Sequence, residues 1–114
     1  MEIDFRTKKM TKIANSERKL KKAYGELSDK IQRRLQMLRA ANTLAIYEQL
    51  DPLSGLHQLT GNRKEQFAVD LSGNFRLTFK VANEPIPRME NSEGIDRSRV
   101  THIKVLELSE DYHG

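Results

Sequence analysis

The chain has 114 residues, of which 37% are hydrophobic and 32% charged, and its formal net charge is +4. This length is enough for one domain with a modest core and excludes two. The chain has no cysteine, which excludes disulfide frameworks and thiolate metal sites. No apolar run approaches the roughly 20 residues of a membrane span, and the N-terminus lacks the apolar stretch of a signal peptide. We therefore expect a single domain over residues 1–114, located in the cytoplasm and not in a membrane.

Positive charge is concentrated towards the N-terminus. Residues 6–40 contain twelve lysine or arginine residues and three acidic residues, an excess of nine positive charges. Residues 41–114 contain eight basic and eleven acidic residues, an excess of three negative charges. Such an asymmetry is typical of a protein that binds a polyanion, and it is equally consistent with a solubilising face on exposed helices. Charge alone leaves both interpretations open.

The N-terminal quarter of the chain predicts one strand followed by helical structure. Residues 1–6 alternate, with Ile3 and Phe5 on one side, which predicts a strand with one buried face. Residues 7–25 are helical in character. The pair Asn15-Ser16 has the composition of a helix cap, so this segment can also be read as two helices.

Residues 27–41 give the clearest helix signal. Four apolar residues recur at steps of four, four and three and therefore line one side of a helix: Leu27, Ile31, Leu35 and Leu38. Lys30, Arg33 and Arg34 are predicted to lie mostly away from this stripe, on an exposed basic surface that binds RNA. A break follows at Asn42-Thr43.

The second half of the chain predicts a short helix over residues 44–50 and then four strands. The strands are expected at residues 56–59, 66–71, 75–81 and 100–108. Ser72-Gly73-Asn74 has the composition of a hairpin turn, and residues 82–99 predict a long loop that is functional or mobile. The predicted order is β-α-α-β-β-β-β. This is an α+β domain in which the N-terminal strand and the helices pack on one face of a small antiparallel sheet.

Several polar residues near turns are suited to acid–base chemistry on a phosphate. His57 adjoins a predicted turn, and two imidazoles, His57 and His113, can serve as base and acid in one reaction. Arg76, with Arg63 from the neighbouring turn, is suited to hold a phosphate group. Two further candidates lie near the C-terminal end. Asp111 is suited to orient an imidazole, and Tyr112 is suited to donate a proton or stack on a base.

These groups suit metal-free cleavage of RNA, in which the ribose 2′-hydroxyl attacks its own phosphate. The reaction needs a base, an acid and cations around the phosphate, but no cofactor. The sequence has no phosphate-binding glycine loop and no spacing that suggests a metal site. Structural interpretations stay open, because an isolated histidine is more often structural than catalytic. Arg76 could also serve only to pair with a cross-strand carboxylate such as Asp70.

Two separated motifs carry a resemblance to a known family. The first runs from His57 to Arg63 as HQLTGNR and continues with Gln66-Phe67 and the strand FRLTF over residues 75–79. The second is the run DYH over residues 111–113. In this order the motifs resemble the HigB killer proteins of bacterial toxin–antitoxin systems, within the RelE/ParE superfamily. The chain departs from many relatives at Thr60, where they have a lysine, and this removes one cation from the predicted cleft.

The resemblance implies a RelE-like fold and a toxin that cuts messenger RNA in the ribosomal A site. It also implies a helix-turn-helix antitoxin of the HigA type as partner. The catalytic positions that it implies are His57, Arg76, Asp111, Tyr112 and His113. The residues that we expect to bind phosphate or RNA are Arg63, Lys80, Lys30, Arg33 and Arg34. We expect neither a metal nor a cofactor.

Two alternatives to an RNA-cleaving enzyme stay open at this point. One is a non-enzymatic toxin that poisons a topoisomerase such as gyrase, as ParE-type relatives do. The other is a basic adaptor that binds RNA without cleaving it, which predicts a steep dependence of binding on salt.

Overall fold

The computed structural model describes residues 1–112, which form four α-helices and five β-strands around one hydrophobic core. The helices are α1 (Lys8–Ala14), α2 (Glu17–Tyr24), α3 (Ser28–Ala40) and α4 (Leu44–Leu50). The strands are β1 (Glu2–Phe5), β2 (His57–Gln58), β3 (Gln66–Asp70), β4 (Phe75–Val81) and β5 (His102–Asp111). The α+β class is therefore confirmed.

The predicted helical segments are divided at the caps that the sequence contains. The side chain of Ser16 accepts a hydrogen bond from the backbone N–H of Lys19 and begins α2. The side chain of Thr43 does the same for Ile46 and begins α4. A side-chain oxygen at this position satisfies one of the first N–H groups of a helix, which have no partner within the helix. The order therefore contains four helices between β1 and β2, where β-α-α-β was predicted.

The sheet has the strand order β1-β5-β4-β3-β2 and is mixed. Strands β2 to β5 are antiparallel, but β1 lies parallel to β5, with Ile3 opposite Ile103. The prediction of an antiparallel sheet is therefore wrong for β1. A hairpin turn forces antiparallel pairing on neighbouring strands, whereas four helices separate β1 from the next strand and leave its direction free.

One face of the sheet carries the core. The apolar side of α3 shares this core with Phe67 of β3 and Phe79 of β4, whose rings stack with centroids 5.7 Å apart. Side chains alternate between the two faces of a strand. Residues Ala68, Arg76 and Thr78 therefore point to the face opposite the helices, which we call the polar face.

Arg34 belongs to the core and not to the surface of α3. Its side chain is only 4% exposed and forms a bidentate ion pair with Asp51, at 3.0 and 3.1 Å. Its Nε also donates to the backbone carbonyl of Asp70, at 2.8 Å, and Tyr47 donates its hydroxyl proton to Asp51. Burial raises the pKa of Tyr47 well above its ordinary value. The prediction that Arg34 lies on the exposed RNA-binding surface is wrong. Its side chain is buried, and its hydrogen bonds join α3 to the end of α4 and to β3.

The predicted loop over residues 82–99 is held against the domain by ion pairs. Arg88 pairs with Glu65, and Arg97 pairs with Glu48 of α4 at 2.9 Å. The guanidinium carbon of Arg97 also lies 5.1 Å from the centre of the Phe67 ring. These contacts cover one end of the core. None of the helices within residues 1–112 is long and apolar enough to cross a membrane.

Candidate functional site

The polar face brings His57 and Arg76 to the same side of the sheet. His57 of β2 lies opposite Ala68 of β3, and Ala68 lies opposite Thr78 of β4. Residues directly opposite each other in an antiparallel pair point to the same face. Arg76 is two positions from Thr78 on β4 and therefore points to this face as well.

Arg76 and Arg63 converge on one carboxylate, that of Glu110 in β5. Arg76 Nε donates to Glu110 Oε2 at 2.7 Å. Arg63 NH1 and NH2 donate to the two oxygens of Glu110 at 3.3 and 2.9 Å, and Arg63 Nε donates to Gln66. The predicted pairing of Arg76 with a cross-strand carboxylate therefore occurs, but the partner is Glu110 and not Asp70. We call the four residues Arg63, Arg76, Glu110 and Tyr112 the guanidinium cluster.

The electrostatics of the cluster favour the charged form of Glu110. The side chains of Arg76 and Glu110 are 14% and 21% exposed. This burial alone would raise the pKa of Glu110, but the hydrogen bonds and charges of Arg63 and Arg76 outweigh it and hold the pKa below its ordinary value. Glu110 is therefore an anion at neutral pH, and it cancels one of the two guanidinium charges.

Arg63 links two strands that lie on either side of β4. Its guanidinium group links Gln66 on β3 to Glu110 on β5, and β4 runs between these strands. Ala68 and Thr78 lie opposite each other on this face and are 0% exposed. Among the described residues, the hydroxyl oxygen of Thr78 has no hydrogen-bond partner. Most buried polar atoms in proteins are paired, so this oxygen requires an explanation.

The imidazole of His57 is oriented by a backbone carbonyl. Its Nδ1 lies 2.9 Å from the backbone carbonyl of Gly55. A carbonyl oxygen only accepts hydrogen bonds, so Nδ1 carries the proton in the neutral ring and Nε2 is free to accept one. Gly55 has φ of +63°, and a Cβ atom there would lie 2.3 Å from an Asp70 oxygen. The left-handed backbone conformation of this turn favours glycine, and the turn places the Gly55 carbonyl next to the His57 ring.

Of the predicted catalytic residues at the C-terminal end of β5, Tyr112 contacts the guanidinium cluster directly. The backbone N–H of Tyr112 donates to the carbonyl of Asn74 at 3.1 Å. The guanidinium carbon of Arg76 lies 4.9 Å from the centre of the Tyr112 ring, a cation–π contact. Asp111 ends β5 opposite Phe75 and is exposed. The predicted catalytic His113 lies outside the described residues.

The other cations predicted to bind RNA lie on two different sides of the protein. Lys80 is exposed on β4, and its position two residues from Thr78 places it on the polar face. Lys30 and Arg33 are exposed on α3. Because α3 covers the core face, these two side chains lie on the opposite side of the sheet from Arg76. The protein therefore has two separate basic surfaces.

One group of residues outside the cluster has the composition of a metal site. Glu2 and Asp4 of β1 and His102 of β5 have ligand atoms that all lie within 4.8 Å of one another. His102 Nε2 already contacts Asp4 Oδ2 at 2.7 Å, and both carboxylates are largely exposed. A hydrogen bond between adjacent strands accounts for this arrangement, in which His102 is half-buried.

Glu110 is the functional residue that the sequence analysis missed. Its position on the polar face depends on two register shifts between β4 and β5, where β5 gains residues relative to its partner. Such bulges break the alternation of inward and outward side chains. A period of two therefore cannot assign Glu110 to a face, although the mixed apolar pattern of the last strand is the signal that indicates a bulge.

No protein-family model matches the chain, and no curated protein matches it either. The resemblance to HigB-type toxins therefore rests on the motif residues of this chain alone.

Proposed function

We propose that this protein is a ribosome-dependent endoribonuclease, the toxin of a type II toxin–antitoxin system, which cleaves messenger RNA without a metal ion. The observation that carries the proposal is the placement of His57 and Arg76 on one face of the sheet, on strands separated only by β3. Nδ1 of His57 faces the Gly55 carbonyl, so Nε2 is the ring nitrogen left to accept a proton, and Arg76 is held beside the Tyr112 ring. A base and a phosphate-binding cation that face the same side are what the reaction requires.

The chemistry assigns a separate task to each group. Nε2 of His57 removes the proton of the ribose 2′-hydroxyl, and the oxygen attacks the adjacent phosphorus. Arg76 stabilises the additional negative charge on the phosphate as the bond to the 5′-oxygen breaks. A proton must reach that leaving oxygen. We assign its donor to the segment 111–113, and the motif implies His113. The products are a 2′,3′-cyclic phosphate and a free 5′-hydroxyl.

The proposed partners are the ribosome with its messenger RNA and an antitoxin of the helix-turn-helix type, and the proposed place of action is the cytoplasm. Lys30 and Arg33 support docking on ribosomal RNA, because both are exposed on a helical layer with a large positive excess. Positive surfaces of this kind bind phosphate backbones without sequence preference.

The decisive experiment maps new RNA ends after induced expression. We expect growth arrest together with cuts in translated messages, whereas naked RNA stays largely intact with the purified protein. The Arg76→Ala variant should abolish these cuts. Arg88→Ala is the matched control, because Arg88 also pairs with a glutamate on the surface but lies outside the cluster. Equal cutting by both variants would remove Arg76 from the mechanism.

A non-enzymatic adaptor that binds RNA is the second candidate. The observation that favours it is the pairing of Arg63 and Arg76 with Glu110, which lowers the positive charge available for a phosphate. It predicts ribosome association with no new RNA ends. Growth arrest with DNA damage and intact messages would instead support a toxin that acts on a topoisomerase.

A further inference from the structure

The carboxylate of Glu110 has the surroundings that a bound phosphate would have. The guanidinium groups of Arg63 and Arg76 both donate to it, through hydrogen bonds of 2.7 to 3.3 Å, and its Oε2 accepts from both. Arginine forks recognise carboxylates and phosphates by the same planar, charge-assisted geometry. The site therefore already holds an anion that belongs to the protein itself.

The fork of Arg63 that is best suited to a phosphate is already occupied by Glu110. Three of the five N–H groups of Arg63 donate to protein oxygens, and the two from NH1 and NH2 both reach Glu110. A phosphate that takes this bidentate position must therefore replace the Glu110 carboxylate as the acceptor. Arg76 differs, since its Nε donates to Glu110 while its face lies on Tyr112.

Thr78 adds a second observation on the same face, namely a buried hydroxyl group that has no hydrogen-bond partner. Its residue is 0% exposed, and its hydroxyl oxygen has no partner among the described residues. An unpaired buried hydroxyl is unfavourable, because it has given up its hydrogen bonds to water and gained none in return. A phosphate oxygen that reaches this hydroxyl on the same face would give it the acceptor that it lacks.

We propose that Glu110 is a built-in competitor for the phosphate group of the substrate, and that a phosphate binds by displacing its carboxylate from Arg63 and Arg76. This inference rests on the proposed function, because it concerns the same site. The free protein then binds isolated phosphates weakly. A substrate that is also held by other contacts supplies the free energy needed for displacement, which restricts the site to RNA presented by a larger assembly.

The test is a titration with inorganic phosphate of the full chain and of the Glu110→Gln variant at neutral pH. Glutamine keeps the shape of the side chain and removes its charge. We expect the variant to bind phosphate roughly fivefold to tenfold more tightly, since one negative charge next to the ligand is removed. The matched control is Glu107→Gln, because Glu107 lies on the same strand and pairs with Arg6 instead. An affinity in Glu110→Gln that is equal to the control or weaker overturns the inference.

A second measurement needs no variant and covers the case in which Glu110→Gln does not fold. Phosphate is added to the wild-type protein while NMR follows the Nε–H groups of Arg63 and Arg76 and the carboxyl carbon of Glu110. We expect all three signals to move together with one dissociation constant, because phosphate replaces the carboxylate. A shift at Arg76 with no change at Glu110 overturns the inference.

The phosphate titrations separate this inference from the proposed function. They contain neither ribosomes nor RNA, so a protein without nuclease activity still gives a result. Tighter phosphate binding by Glu110→Gln, combined with no cleavage by any form of the protein, would refute the proposed function and leave the competitor role standing. Cleavage by the wild type, combined with unchanged phosphate affinity in Glu110→Gln, would support the proposed function and refute the competitor role.

Discussion

The polar face of the sheet and the outer surface of the helices are both rich in cations, but they differ in how these cations are paired. On the polar face, Arg63 and Arg76 share Glu110. Within residues 1–112, no lysine of α1, α2 or α3 takes part in an ion pair. Net charge therefore predicts where a polyanion is attracted, whereas the paired face is where we expect a single phosphate to be recognised.

A second contrast separates two arginine–carboxylate pairs. Arg34 and Asp51 are 4% and 3% exposed, and Tyr47 closes the pair from the side. Arg76 and Glu110 are 14% and 21% exposed and lie at the surface of the sheet. A ligand can reach only the second pair. The first therefore contributes to stability and the second is available for function.

The largest effect is expected for His57→Ala, which tests whether the polar face carries the function. Loss of a general base lowers a rate by about 10²- to 10⁴-fold, so cleavage of translated RNA should fall by that factor. His57 is exposed, so the melting temperature of the variant should match that of the wild type. His102→Ala is the control, because His102 pairs with Asp4 away from the cluster. Equal cleavage by the two variants would show that His57 is not the base.

The next largest effect is expected for Arg34→Ala, measured by urea unfolding. Removing one partner of a buried ion pair leaves the other charge unpaired and costs about 3–5 kcal/mol. Arg33→Ala, at the adjacent exposed position, should change the free energy of unfolding by less than about 0.5 kcal/mol. A similar loss in both variants would contradict the separation between the buried and exposed arginines of α3.

A smaller effect is expected from Glu110 on stability, and it should depend on pH. The pKa of Glu110 is lower in the folded protein than its ordinary value of 4.5. Its contribution to the free energy of unfolding is therefore fully present above pH 4.5. It is lost as the pH falls through the lower, folded pKa. At neutral pH we expect Glu110→Gln to lower the free energy of unfolding by about 1 kcal/mol. The difference in the free energy of unfolding between variant and wild type should shrink below pH 4.5. A difference that stays constant with pH would show that it does not come from the ion pairs of Glu110.

The smallest effect on stability is expected when charge is reversed on the helical layer with Lys30→Glu and Arg33→Glu. Both side chains are exposed, so the free energy of unfolding should stay within about 0.5 kcal/mol. Ribosome association should weaken, and the slope of its salt dependence should fall by about one for each phosphate that is no longer bound. Lys80→Glu on the polar face gives the comparison. Undiminished association after reversal on α3 would show that the helices are not the docking surface.

The elements that local patterns determine were predicted from the sequence. The stripe of Ile31, Leu35 and Leu38 predicts α3, and the turn over residues 72–74 joins β3 and β4 where expected. Both signals depend on residues within a few positions of each other. Long-range pairing is different, because the parallel contact of β1 with β5 joins Ile3 to Ile103 and depends on the path of the whole chain.

The candidate site was predicted only in part. His57 and Arg76 share a face because both lie on strands whose alternation is regular. Glu110 could not be assigned to a face, since the bulges of β5 interrupt that alternation.

The burial of Arg34 could have been predicted from helical spacing, because Arg34 lies three positions after Ile31 and four before Leu38. A charged residue within an apolar stripe indicates a buried partner, here Asp51.

The position of β5 between β1 and β4 has a consequence for the order in which the sheet and the guanidinium cluster are assembled. Residues 102–111 are synthesised after the other four strands, and without them β1 has no partner strand and β4 is paired on one side only, with β3. A nascent chain that has not released β5 therefore has neither a complete sheet nor the carboxylate that joins Arg63 to Arg76. Biosynthesis itself therefore delays assembly of the cluster until β5 has emerged from the ribosome.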